Sequence, residues 1–169
     1  MKANKIAHIL IILLILVVNI GCDQVSKKIV RQHVDYNEKI SLISDHFTLT
    51  KIENTGAFLS MGDSLPQFLS LLVLIILPLL ALVGALAYLF LKKGLSKYKI
   101  VGIGFVVSGG IGNIFDRIMY GSVTDFLHID FGLFQTGIFN MADLSIMTGA
   151  FILLFETFVN KRKANLNLE

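Results

Sequence analysis

Four stretches of this chain run without an internal Lys, Arg or Glu: Ile6 to Cys22, Gln67 to Leu91, Lys99 to Phe115, and Ile138 to Val159 with Glu156 near its end. An α-helix rises about 1.5 Å per residue, so about 20 residues cross a hydrocarbon core of about 30 Å. The pattern therefore predicts four transmembrane helices. Pro78 in the second predicts a kink, which a membrane helix tolerates where neighbours satisfy the freed carbonyl. Gly104, Ser108 and Gly112 recur every fourth residue along the third, a small-residue stripe that lets another helix pack closely.

The segment from Asp23 to Pro66 is too long for a simple turn. Gln24 to Gln32 reads as a short interfacial helix, with Val25, Ile29 and Val30 on its apolar side and Lys27, Lys28 and Arg31 toward water or headgroups. Lys39 to Ile43 and Phe47 to Ile52 are rich in β-branched residues and partly alternating, which predicts a small sheet. The expected fold is mainly α: four transmembrane helices, a short interfacial helix and a small β-containing extracytoplasmic cap over residues 23–66. No internal repeat interrupts it, and residues 1–169 form a single membrane-embedded domain.

Composition agrees. Hydrophobic residues make up 54% of 169 positions and the mean hydropathy is +0.74, an apolar excess that a globule of this size cannot hide. The net charge of +3 does not indicate nucleic acid, because the basic residues gather at the ends of apolar runs rather than interleaving with aromatics. With the N-terminus inside, the cytoplasmic side holds Lys2, Lys5, Lys92, Lys93, Lys97, Lys99, Lys161, Arg162 and Lys163. The other side holds Lys27, Lys28, Arg31, Lys39, Lys51 and Arg117. This bias predicts cytoplasmic N- and C-termini, although Lys27, Lys28 and Arg31 argue locally against it. The basic start, apolar middle and Gly21-Cys22 ending of the first span also look like a lipoprotein signal; Asn19, where an apolar residue belongs, and three further spans count against cleavage.

Ionisable groups at membrane depth are costly unless paired or wetted, and here they concentrate. The third span ends in Gly112-Asn113-Ile114-Phe115-Asp116-Arg117, the fourth opens with Phe139-Asn140-Met141-Ala142-Asp143, and Val123-Thr124-Asp125-Phe126 lies between. Asn113, Asp116 and Arg117 share one helix face, as do Asn140 and Asp143. Asp125 and Asp143 are thereby expected at one membrane boundary. Two close carboxylates share a proton, which supplies a general base and a general acid for attack of water on an amide. Asp116 and Arg117 read as a structural ion pair or as groups reaching the headgroups; Arg117 binding a lipid phosphate or orienting a carboxylate is the sharper alternative. For Asn113 and Asn140, interhelical hydrogen bonding and substrate contact both stand.

Other chemistries lack support. His8, His33, His46 and His128 are scattered without ligand spacing, so no metal and no cofactor is expected. Cys22 is alone, which excludes an intrachain disulfide, and no Gly-x-Ser-x-Gly elbow occurs. An ion or proton transporter using Asp116, Asp125 and Asp143 is the main rival, disfavoured by the one-sided acids and the lack of inverted repeats.

The ordered motifs Asp23-Gln24-Val25-Ser26-Lys27, Asn54-Thr55-Gly56-Ala57-Phe58, Gly112 to Arg117, Val123 to Phe126 and Phe139 to Asp143 resemble the bacterial lipoprotein signal peptidases (signal peptidase II) over nearly the whole chain. The resemblance implies an aspartyl endopeptidase of the bacterial inner membrane. It would cut prolipoproteins on the amino side of a diacylglyceryl-modified cysteine, and it would be the target of the cyclic peptide globomycin. It places Asp125 and Asp143 as the catalytic pair, with Asn54, Gly56, Asn113, Arg117 and Asn140 binding substrate or supporting the pair. Asp23, Lys27 and Asp116 would be structural polar positions. The implied partners are the prolipoprotein and membrane lipids, with the enzyme a monomer. One departure is visible: a single residue, Ala57, separates Gly56 from Phe58 where the family usually has two.

Overall fold

The structure, a computed structural model, describes residues 2–43, 46–56 and 65–166, with side chains described from residue 6 to residue 161 within those ranges. Helix α1 (Lys2–His33) precedes strands β1 (Ile40–Ile43) and β2 (Phe47–Asn54) and helix α2 (Gln67–Leu91). Helix α3 (Lys97–Tyr120), strand β3 (Val123–Ile129) and helix α4 (Met141–Leu166) complete the order. All four helices are long and apolar enough to cross a membrane. Their outward faces expose Leu14, Val17, Leu80, Val83, Phe151 and Leu154, a surface suited to lipid rather than water.

α1 and α3 run the same way, since Asp23 and Lys27 of one meet Gly112 and Asp116 of the other. α2 and α4 return. At the far end His8 Nε2 lies 2.9 Å from the Leu89 carbonyl oxygen, and the Ser96 hydroxyl donates to Glu156. The interruption expected at Pro78 takes the form of a π-helical turn over Leu72–Ile76, just ahead of the residue that lacks an N–H.

Close packing follows the small residues. A Cβ on Gly104 would sit 3.1 Å from Ile15 Cγ2, and one on Gly112 would sit 2.5 Å from Asp23 Oδ2, so both glycines of the predicted stripe abut α1, while Ser108 between them meets Ser145 of α4. A second stripe, Gly102 and Gly109 with Gly149 of α4, brings α3 and α4 together; a Cβ on Gly109 would strike the Ala142 carbonyl oxygen.

Two expectations about residues 23–33 are corrected. The short interfacial helix is not separate, because α1 continues unbroken to His33. The expected sides hold only in part: Val30 is buried and Lys28 exposed, but Lys27 is 0% exposed, whereas Val25 and Ile29 are 59% and 54% exposed. Lys27 is buried because acids on two helices neutralise it, and Val25 and Ile29 face the surroundings of a transmembrane bundle. The third span likewise runs further than its apolar run, to Tyr120. It is closed there by Gly121 at φ 78°, whose N–H bonds the Arg117 carbonyl at 3.1 Å.

β1, β2 and β3 form an antiparallel sheet in that order. The first two strands lie where alternation predicts them; β3 falls between the third and fourth spans, where no strand is predicted. Val30, Val34, Phe126 and Leu127 form the core beneath the sheet, joined by Phe47, Leu49, Phe139 and Met141. The cap is thus fastened to the end of α1.

Candidate active site

Three local features converge on Asp125. In the β2–β3 register Ile52 opposes Asp125 and Asn54 opposes Val123, so Asn54 is the diagonal neighbour of Asp125 on one face. Its amide Nδ2 donates to Asp125 Oδ2 at 2.9 Å. After β3 the chain turns back, and the Phe126 and Leu127 N–H groups both donate to the Phe139 carbonyl, at 3.0 and 2.8 Å. The next residue, Asn140, is thereby held beside Asp125, and its Nδ2 donates to Asp125 Oδ1 at 2.6 Å.

Asn140 also starts α4. Its N–H donates to Asp143 Oδ2 at 3.2 Å while the Asp143 N–H donates to Asn140 Oδ1 at 2.9 Å, a reciprocal capping box. Asn113 Nδ2 donates to the other Asp143 oxygen at 2.8 Å. One residue therefore fixes both carboxylates: its side-chain amide holds Asp125, and its backbone and amide oxygen hold Asp143. All four carboxylate oxygens have a donor.

The environments differ. Asp125 is 5% exposed, and burial pushes its carboxyl from an ordinary 3.8 up to about 6. The Asn54 hydrogen bond pulls against that rise, and the negative charge of Asp143 adds to it. Asp143 is less buried and lies in the first turn of α4.

A layer of ions supports the pair. Lys27 Nζ lies 2.9 Å from Asp23 Oδ2 and 3.0 Å from Asp116 Oδ2, and donates to Asn113 Oδ1 at 2.9 Å. The ammonium thus orients Asn113, turning its amide nitrogen toward Asp143. Asp23 Oδ1 accepts the Ala142 N–H at 2.9 Å, tying α1 to the start of α4. Gln24 Nε2 donates to Asp23 Oδ2 and Asp116 Oδ1, at 3.0 and 3.1 Å.

Here a further expectation is corrected: Asp116 pairs with Lys27 and with Arg31 Nη2 (3.0 Å), not with its neighbour Arg117. Consecutive residues on a helix point about 100° apart, so Asp116 faces α1 while Arg117 faces the cap. Arg117 Nη2 donates to the Gly56 carbonyl at 2.7 Å, and its charge acts on Asp125 and Asp143. Gly56 N–H in turn donates to Asn54 Oδ1 at 3.1 Å, closing the ring back to Asp125. Ala57 and Phe58 lie outside the described residues.

Sequence reasoning passed over Arg31 and Thr124. Arg31 Nε donates to Thr124 Oγ1 at 2.7 Å, and the Thr124 hydroxyl donates to Glu53 Oε1 at 2.8 Å, so the strand residue before Asp125 is pinned from both sides. Asp23, Lys27 and Arg31 at intervals of four were the available signal for a buried polar stripe on one helix face.

A membrane bundle with two carboxylates gripped by asparagines at one end of its helices has the form of a membrane-embedded acid–base enzyme. The comparisons with known proteins specify it. The family model described as signal peptidase (SPase) II matches residues 13–159, and the chain belongs to that family of peptidases. It is 36% identical over 152 residues to the lipoprotein signal peptidase of Maridesulfovibrio salexigens, covering 88% of this chain and 95% of that one. To the Streptococcus pneumoniae lipoprotein signal peptidase it is 32% identical over 154 residues, covering 91% and 93%. A solved bacterial membrane enzyme, 23% identical, shares the fold with a TM-score of 0.79, covering 89% of this chain and 88% of that one.

Proposed function

We propose that this protein is the aspartyl endopeptidase that removes signal peptides from prolipoproteins, cutting on the amino side of a diacylglyceryl-modified cysteine, with Asp125 and Asp143 as its catalytic pair. The observation that carries the reading is Asn140, bonded to both carboxylates at once. In this reading the more buried Asp125 holds the proton the two carboxylates share, and Asp143 acts as the base.

Asp143 takes a proton from water as its oxygen attacks the scissile carbonyl carbon, and Asp125 gives its proton to the carbonyl oxygen. In the tetrahedral diol that results, Asp143 passes its proton to the amide nitrogen and the C–N bond breaks. The cysteine amine leaves, the signal peptide keeps the new carboxyl, and one hydroxyl proton returns to Asp125. The pair ends as it began, with one proton. Asn54, Asn113 and Asn140 hold the carboxylates through these steps, and Arg117 ties the Gly56 turn over the site while keeping a positive charge near the pair.

The site belongs on the extracytoplasmic face of the bacterial inner membrane, with both termini inside. The basic count supports this more strongly once Lys27 is seen buried between acids, since a neutralised cation does not weigh on orientation. The substrate's acyl chains would lie against the exposed bundle and bring the scissile bond to the boundary where the pair sits. Purified protein is expected to cleave a diacylglyceryl peptide and to leave its unlipidated twin largely intact. Equal rates on both would remove lipid recognition from the proposal, and cleavage of neither would remove the function.

A further inference from the structure

Near their C-terminal ends α1 and α3 leave a cleft of about 440 Å³, lined by Gln24, Lys28, Arg31 and Gln32 of the first and Phe115 and Tyr120 of the second. No lining residue is acidic. Gln24, Lys28 and Gln32 are four apart, so a single stripe of α1 presents an amide, an ammonium and a second amide. Lys28 is exposed and takes part in none of the ion pairs among the described residues. Arg31 is fixed: its guanidinium carbon stands 3.9 Å from the centre of the Tyr120 ring, its Nε bonds Thr124, and its Nη2 meets Asp116. Tyr120 is the last residue of α3, so the cleft lies where the span ends, at headgroup level. Phe115 of the lining and, beside it on α1, Val25 and Ile29 are exposed apolar groups.

We infer that this cleft binds the phosphodiester headgroup of an anionic phospholipid, with Lys28 as the mobile cation, the stacked Arg31 and Tyr120 as a rigid floor, and acyl chains along Phe115, Val25 and Ile29. Charge selects this cleft over the adjoining recess of about 280 Å³ behind Arg31 and Tyr120. That recess contains Glu53, whose carboxylate accepts from Ser122 and Thr124 and would repel a phosphate. A free inorganic phosphate would use the cations but not the apolar groups, so the site is assigned to lipid.

The test is lipid retention by the full-length protein purified in a neutral detergent, titrated with phosphatidylglycerol or phosphatidylcholine and read by native mass spectrometry. A lysine at the membrane surface favours an anionic lipid about fivefold, so the native protein should retain phosphatidylglycerol about fivefold over phosphatidylcholine. Lys28→Gln, an exposed change with unfolding unaltered, should remove that preference; Lys93→Gln at the opposite end should leave it intact. Excess inorganic phosphate should not displace the lipid. An unchanged preference in Lys28→Gln, an equal loss in Lys93→Gln, or ready displacement by phosphate would each overturn the assignment.

Discussion

Replacing Lys27 with methionine removes an ammonium whose three donors are all engaged, by Asp23 at 2.9 Å, Asp116 at 3.0 Å and Asn113 at 2.9 Å, at a position with no solvent exposure. Methionine keeps most of the volume, so the change is chiefly electrostatic. Two buried carboxylates are left with Arg31 as the one remaining cation in contact, and that contact is to Asp116. Asp23 keeps the Gln24 amide and the Ala142 N–H but no counter-charge. Breaking a buried pair from one side costs about 3–5 kcal/mol, because the partner stays buried and uncompensated. Equilibrium unfolding in mixed micelles, followed by far-ultraviolet circular dichroism, should show a loss of that size for Lys27→Met. The double variant Lys27→Met/Asp23→Asn should recover at least half of it, since the stranded charge is gone. A loss below about 1 kcal/mol, the size of an exposed pair, would refute the argument by showing that the ammonium is hydrated. Activity should fall in the single variant as well, because Asn113 loses the donor that turns its amide toward Asp143.

Other outcomes follow from the same geometry. Asp125 titrates near 6 against an ordinary 3.8, so between those values the folded chain holds a proton that the unfolded chain has released. The contribution of Asp125 to stability is therefore greatest below pH ~4 and is lost as pH rises through ~6, by up to about 3 kcal/mol, and Asp125→Asn should remove that component from unfolding titrations. Carboxyl-selective NMR should find the midpoint lowered by Asp143→Asn, which removes a neighbouring negative charge, and raised by Asn54→Ala, which removes a hydrogen bond to the anion. Gly109→Ala drives a Cβ into the Ala142 backbone and should cost about 1–3 kcal/mol together with activity, whereas Gly84→Ala meets open space and should be neutral or slightly stabilising.

Much of this was legible in the chain itself, because lipid imposes length and hydropathy on whatever crosses it. The four spans could be read from Ile6, Gln67, Lys99 and Ile138 onward, and the polar clusters around Asn113 and Asn140 stood out because a bilayer makes them costly. What was misread depended on partners far away in sequence. Lys27 and Arg31 look like the start of an aqueous segment until Asp116, about ninety residues on, is seen to neutralise them. The same distance hid the length of α1. Strand β3 was missed because its ladder partner lies some seventy residues earlier, at Phe47–Asn54, and both of its faces are covered, leaving no simple alternation to read. The dual role of Asn140 was half visible: its spacing to Asp143 is a capping-box signature, but its grip on Asp125 exists only once the chain has turned back at Phe139.

If two aspartates held by one asparagine carry the hydrolysis, single-turnover cleavage of a diacylglyceryl peptide will separate Asp125→Asn and Asp143→Asn, each shown by circular dichroism to be folded, from the native protein. Loss of a positioned acid or base predicts a fall of about 10²–10⁴-fold in each variant while the peptide still binds. A folded variant that binds and cleaves within a few-fold of the native rate would contradict the account.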